Sequence, residues 1–106
     1  MRLRATVPAV TTALLLTLAG SAAAAQGDFL YRSDDSNHTL ADPRGGDCVR
    51  LPLPDPSSPA HHVDNQTDST AVVYLDDDCA SDTYYVLPPH TKAPARVLVR
   101  SVVFAN

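Results

Sequence analysis

Apolar and polar residues alternate most clearly in the second half of the chain. Thr70-Ala-Val-Val-Tyr-Leu75, Thr83-Tyr-Tyr-Val-Leu87 and Val97-Leu-Val-Arg-Ser-Val-Val-Phe104 are β-branched and aromatic runs parted by turn residues, which predicts three strands. In the last run Val97, Val99, Ser101 and Val103 should share one face, and Leu98, Arg100, Val102 and Phe104 the other. Shorter runs at Asp28–Arg32, His38–Ala41, Cys48–Leu51 and His61–Asp64 predict weaker strands, the first with Phe29 and Tyr31 on one side. Between them, Ser33–Asn37, Asp42–Gly46 and Asn65-Gln66-Thr67-Asp68 read as turns whose side chains can bond their own backbone. Leu51–Pro59 contains four prolines, each a missing ladder donor, and is expected as an extended surface loop. No helical period runs beyond a turn. Six or seven short strands predict an all-β fold, a small antiparallel sandwich or partly open barrel.

The first residues follow another pattern. A basic head, Met1-Arg-Leu-Arg4, precedes an apolar stretch from Ala5 to Ala19 and then Gly20-Ser-Ala-Ala-Ala-Ala25. This order is that of a secretory signal, with Ala-x-Ala cleavage after Ala25 or one residue earlier. The apolar run is shorter than the roughly 20 residues of a spanning helix and is interrupted by Pro8, Thr11 and Thr12. Residues 1–25 are therefore expected to be a cleaved signal peptide of bacterial type, and 26–106 a single small domain, secreted and extracellular.

Charge and cysteine content narrow the picture further. The expected mature part carries six bases against twelve acids, all of them Asp, a net charge of −6 with histidine neutral. That repels phosphate backbones and anionic membranes, so no nucleic acid and no membrane partner is expected. The absence of Glu and the presence of one Lys remove the usual helix formers. A domain of this size has a marginal core and commonly relies on disulfides when exported. Cys48 and Cys79 are the only cysteines and are expected to pair, a loop closure worth roughly 3.5–4 kcal/mol.

From Tyr74 to Phe104 the chain resembles a βγ-crystallin-type Greek-key motif, a unit also found in small secreted bacterial inhibitors of metalloproteases. Tyr74 stands at the opening aromatic, and Ser101-Val-Val-Phe104 matches the closing strand with its serine. Cys79 occupies the place of the second aromatic and Ser81 that of the glycine, whose positive φ folds the hairpin over. The resemblance implies a Greek-key unit and an interaction role. A complete domain of that family has two such motifs, and residues 28–69 show no second one. The Cys pair and the step Asn65-Gln66-Thr67-Asp68 are also similar to those of other small exported bacterial proteins.

Candidate chemistry is sparse. Asp76, Asp77, Asp78 and Asp82 form a patch of hard oxygen donors, the weak candidates for calcium. An EF-hand loop opening at Asp76 has Ala80 and Ser81 at its fifth and sixth positions, where a ligand and Gly are needed. No metal and no cofactor is expected. His61 and His62, adjacent on a strand, should point to opposite faces and so not share an ion; a zinc site would need His38 or His90 brought in. Ser, His and Asp occur without a nucleophile-elbow signature, so no catalytic residue is assigned and no enzyme is expected. Asn37-His-Thr39 and Asn65-Gln-Thr67 match the glycosylation sequon and are expected as unmodified turns.

The loop Pro88-Pro89-His90-Thr91-Lys92-Ala93-Pro94, stiffened by three prolines, is the candidate binding loop, since a rigid loop loses little entropy on docking. These features predict a monomeric, non-catalytic binding module for an extracellular protein or cell-surface component, with inhibition of an extracellular hydrolase as one form. The alternatives are a structural cell-surface component and, third, a small hydrolase.

Overall fold

Two adjacent aspartates, Asp34 and Asp35, adopt φ values of 51° and 63° and reverse the chain in two residues. Such a turn matches the twist of the strands it joins, and Asp tolerates the left-handed region better than most residues. It links β1 (Gly27–Ser33) to β2 (Ser36–Ala41), paired antiparallel from Asp28–Ala41 to Ser33–Ser36. The computed structural model describes residues 24–105, so the expected signal segment lies outside it except for Ala24 and Ala25. The remaining strands are β3 (Cys48–Arg50), β4 (His61–Thr67), β5 (Ala71–Tyr74), β6 (Tyr84–Leu87), β7 (Thr91–Lys92) and β8 (Ser101–Phe104).

The strands make two antiparallel sheets of four, in the orders β2-β1-β4-β7 and β3-β8-β5-β6. Neither sheet closes, and no helix occurs among the described residues, so the expected all-β class holds. Eight strands are present against the seven runs read from the sequence, because the binding-loop candidate contains β7. The chain passes repeatedly between sheets, and the two inner faces meet in one core. Phe29, Tyr31 and Val63 from the first sheet pack against Val73, Leu87, Val102 and Phe104 from the second. Phe29 and Phe104 meet edge to face at 5.2 Å, the geometry favoured by the ring quadrupoles.

Three expectations are corrected. Asn65-Gln66-Thr67 is not a turn but the second half of β4, paired with Phe29, Asp28 and Gly27 on β1. Asn65 and Thr67 face inward and are fully buried. The run Val97–Phe104 is not one strand: Ala60 and Val99 form an isolated bridge, the chain bends at Arg100, and only Ser101–Phe104 is regular. At the bend the Arg100 guanidinium reaches the carbonyls of Pro56 and Leu75. The predicted alternation fails there, since Val99, Ser101 and Val102 are all buried. Leu51–Pro59 is irregular as expected but not wholly superficial. Leu51 is in the core, and Pro52 accepts a 2.7 Å hydrogen bond from the Tyr31 hydroxyl. Burial raises the pKa of that phenol.

Candidate functional site

The sequence-predicted sites separate in space. Cys48 and Cys79 are bonded, with Cα atoms 5.9 Å apart, tying β3 at one edge of the second sheet to the turn between β5 and β6. Cys79 itself has φ 55°, so the positive φ of this fold-over falls on the cysteine. Ser101 fastens the same turn from β8: its hydroxyl donates to the Asp76 carbonyl at 2.6 Å and accepts from the Cys79 amide at 3.0 Å.

Of the acidic patch only Asp76 is turned into the protein, while Asp77, Asp78 and Asp82 are exposed. Asp76 accepts from the backbone amides of Ala80, Ser81 and Asp78 within the turn. Desolvation works to raise its pKa, but these N–H bonds together outweigh it and hold the carboxyl below its usual range. Asp77 and Asp78 face Arg50 at 3.7 and 3.6 Å instead. Among the described residues no group of three or more His, Cys, Asp or Glu is placed to hold a metal ion. Asp76 therefore acts as a brace for the turn. Because its folded pKa is depressed, its contribution is complete above the ordinary carboxylate range and lost as pH falls through the folded value. Asp76→Ala should lower stability at neutral pH, and its gap from the parent should shrink in acid. Chemical denaturation at a series of pH values checks this, and a gap constant down to strong acid would contradict it.

The histidine pair departs from expectation. His62 has φ 51° at the place where the β1–β4 register slips between Leu30 and Arg32. This bulge undoes the alternation of faces. The two rings meet with Nδ1 atoms 2.6 Å apart, close enough only if one nitrogen carries the proton. The other histidines are elsewhere: His38 stacks on Tyr31 at 5.1 Å, and His90 Nδ1 lies 3.3 Å from Gln66 Oε1. None of these histidine hydrogen bonds goes to a serine.

The loop from Pro88 to Pro94 is braced against the first sheet. Thr91 Oγ1 donates to the Pro88 carbonyl, the Ala93 amide donates to Val63, and Thr91 and Lys92 pair with β4. Pro88, His90 and Lys92 stay exposed, with His90 at φ 61°, whereas Ala93 is buried. Asn65 anchors the start of the loop from below, donating to the carbonyls of Ser69, Leu87 and Pro88.

A different surface stands out. β6 is an edge strand, and Tyr84, Tyr85 and Val86 are all exposed, Tyr84 by 59% and Val86 by 48%. Together with Leu75 and Leu98 they are the exposed large apolar residues of the described chain. Four of these five, Leu75, Tyr84, Tyr85 and Leu98, converge with Arg96 and Val97 on one open groove of about 300 Å³. Tyr84 leans on Tyr74 across the β5–β6 pair, ring centres 6.0 Å apart. Arg96, in contrast to Arg50, makes no ion pair with a described residue. A second groove beside Arg50 and Arg100 has cations too, but both are already engaged, by Asp77 and Asp78 and by backbone carbonyls. Sequence reading missed the tyrosine groove. The available signal was three consecutive large residues in one strand, which cannot all face a single core.

Compared with known protein families, with curated proteins and with solved structures, the chain has no significant match.

Proposed function

We propose that this protein is an exported, non-catalytic binding module that docks an extended segment of another extracellular protein along β6. The observation that carries this reading is the convergence of exposed Leu75, Tyr84, Tyr85 and Leu98 on one groove at a free sheet edge. Contiguous apolar surface on a small domain marks interaction sites, and tyrosines are frequent anchors in them. An edge strand also offers unpaired backbone groups, which an extended partner can satisfy by adding a strand. Arg96 in the groove adds a charge requirement, favouring a segment with a carboxylate where the aromatic contact ends. The loop Pro88–Pro94 leaves directly from β6 and supports an inhibitory form of the same role against an extracellular hydrolase. The βγ-crystallin resemblance remains part of the proposal, supported by the bonds of Ser101 to both sides of the turn after Tyr74.

Binding by the exported protein to a panel of secreted hydrolases and cell-surface extracts tests the reading. For any partner found, Tyr84→Ser with Tyr85→Ser should weaken binding on the order of tenfold or more, because central aromatic anchors carry most interface energy. Arg96→Ala should reduce the salt dependence as well as the affinity. Binding that survives both tyrosine changes but is lost with Lys92→Ala would move the site to the proline loop. Turnover of a substrate by the parent protein would overturn the non-catalytic reading.

A further inference from the structure

The strongest observation outside the groove lies at the start of the described chain. Ala25 is 1% exposed and belongs to the core, while its neighbour Ala24 is exposed. The Ala25 amide donates to the Pro43 carbonyl at 2.8 Å. The next residues are held from both sides: Gln26 N donates to Asp68 Oδ1 and its carbonyl accepts from the Asp68 amide. Gly27 exchanges bonds with Asp42, its amide to the carboxylate and its carbonyl to the amide. At Gly27, with φ 115°, an added Cβ would collide with the Gln66 carbonyl, so the backbones here are in close approach. Ala25 is therefore the first of the described residues that the core holds.

Four consecutive alanines, Ala22 to Ala25, allow the Ala-x-Ala pattern to be read in more than one register. Cleavage after Ala25 would delete a buried methyl group and the bond to Pro43, and would leave Pro43 with a buried acceptor exposed to a vacated site. The compensation would be an α-ammonium at Gln26 beside Asp68, a solvent-exposed ion pair of the kind that contributes little. Cleavage between Ala24 and Ala25 keeps both the buried methyl group and the bond to Pro43, since the new α-ammonium at Ala25 still donates there.

We propose that the Ala24–Ala25 peptide bond is the processing site and that the mature protein begins at Ala25. A signal peptidase would hydrolyse this bond, water supplying the hydroxyl to Ala24 and the proton to the Ala25 amine, with Ala22 and Ala24 as the small residues it reads. The proposal rests on the export reading, and the two can fail separately.

The test is the intact mass and N-terminal sequence of the product exported by a secreting bacterial host given the full chain. The expected first residue is Ala25. A product that begins at Gln26, or at any other residue, overturns the assignment while leaving export in place. A full-length, unprocessed product overturns export itself and the assignment with it. Substitution separates the registers independently of folding, because processing is read from the mass of the unfolded or folded chain alike. Ala24→Leu should abolish cleavage at this bond, whereas Ala25→Leu, now on the far side of it, should leave cleavage intact. The opposite pattern would place the cut after Ala25.

Discussion

Asn65→Asp, a change of one atom type with no change of shape, should remove a large share of the protein's stability at neutral pH. Asn65 is fully buried, and its amide nitrogen donates to three carbonyls, those of Ser69, Leu87 and Pro88, at 2.8, 3.0 and 3.2 Å. Its oxygen accepts from the amide and hydroxyl of Thr67. The aspartate keeps the acceptor but turns the donor into a second oxygen facing three carbonyl dipoles. An unpaired buried charge of this kind costs about 3–5 kcal/mol, against a total stability of roughly 5–15 kcal/mol for an ordinary domain. Burial among acceptors would raise the new carboxyl's pKa in the folded state, so its penalty should ease below the ordinary carboxylate range and grow as pH rises. Urea unfolding at neutral and acid pH measures both parts. A loss below about 1 kcal/mol would mean that Asn65 does not join the two sheets as described.

Reduction of the disulfide should have an effect of similar size. The bond closes a sequence separation of 31 residues, for which loop-closure entropy predicts about 3.5–4 kcal/mol. β3 makes the result more than an entropy estimate. It has three residues, pairs only with β8, and shows an exposed, half-buried, exposed pattern that offers little apolar area to hold it. The ion pairs of Arg50 with Asp77 and Asp78 cross the same seam, but their side chains are more than half exposed and add at most about 1 kcal/mol each. The covalent link dominates there. For a domain of this length the loss corresponds to a fall in Tm of about 15–30 °C. Scanning calorimetry with and without reductant, and of Cys48→Ser with Cys79→Ser, gives the comparison. A Tm that does not move on reduction would show that β3 is held by other forces.

Local pattern was enough where a strand has one wet and one dry face. Phe29 and Tyr31 alternate with exposed or half-exposed neighbours, as do Ala71 and Val73, and these strands lie within a residue or two of where the pattern puts them. The pairing of Cys48 with Cys79 was legible because no other cysteine exists to compete. Pattern failed where the inward residue is polar. Asn65 and Thr67 look like turn formers, and only their pairing with Phe29 and Gly27 on β1, with distant carbonyls to receive the buried Asn65 amide, makes them strand residues. It failed again at His62, where a positive φ sits in a bulge, and at Arg100, where the chain bends between an isolated bridge and β8.

The tyrosine groove belongs to the same class of information. Tyr84, Tyr85 and Val86 identify a strand by their β propensity, but whether they are core or surface depends on the strand's place in the sheet. By itself the sequence determines an all-β chain with one cysteine pair, because composition and short-range alternation are local properties of the residues. The tertiary structure alone decides that β6 lies at an edge, that its aromatic residues meet Leu75, Leu98 and Arg96, and that Ala25 is already inside. Those outcomes depend on which strands become neighbours across the whole chain, and hydrogen-bonded partners far apart in sequence leave no mark in the pattern of either one.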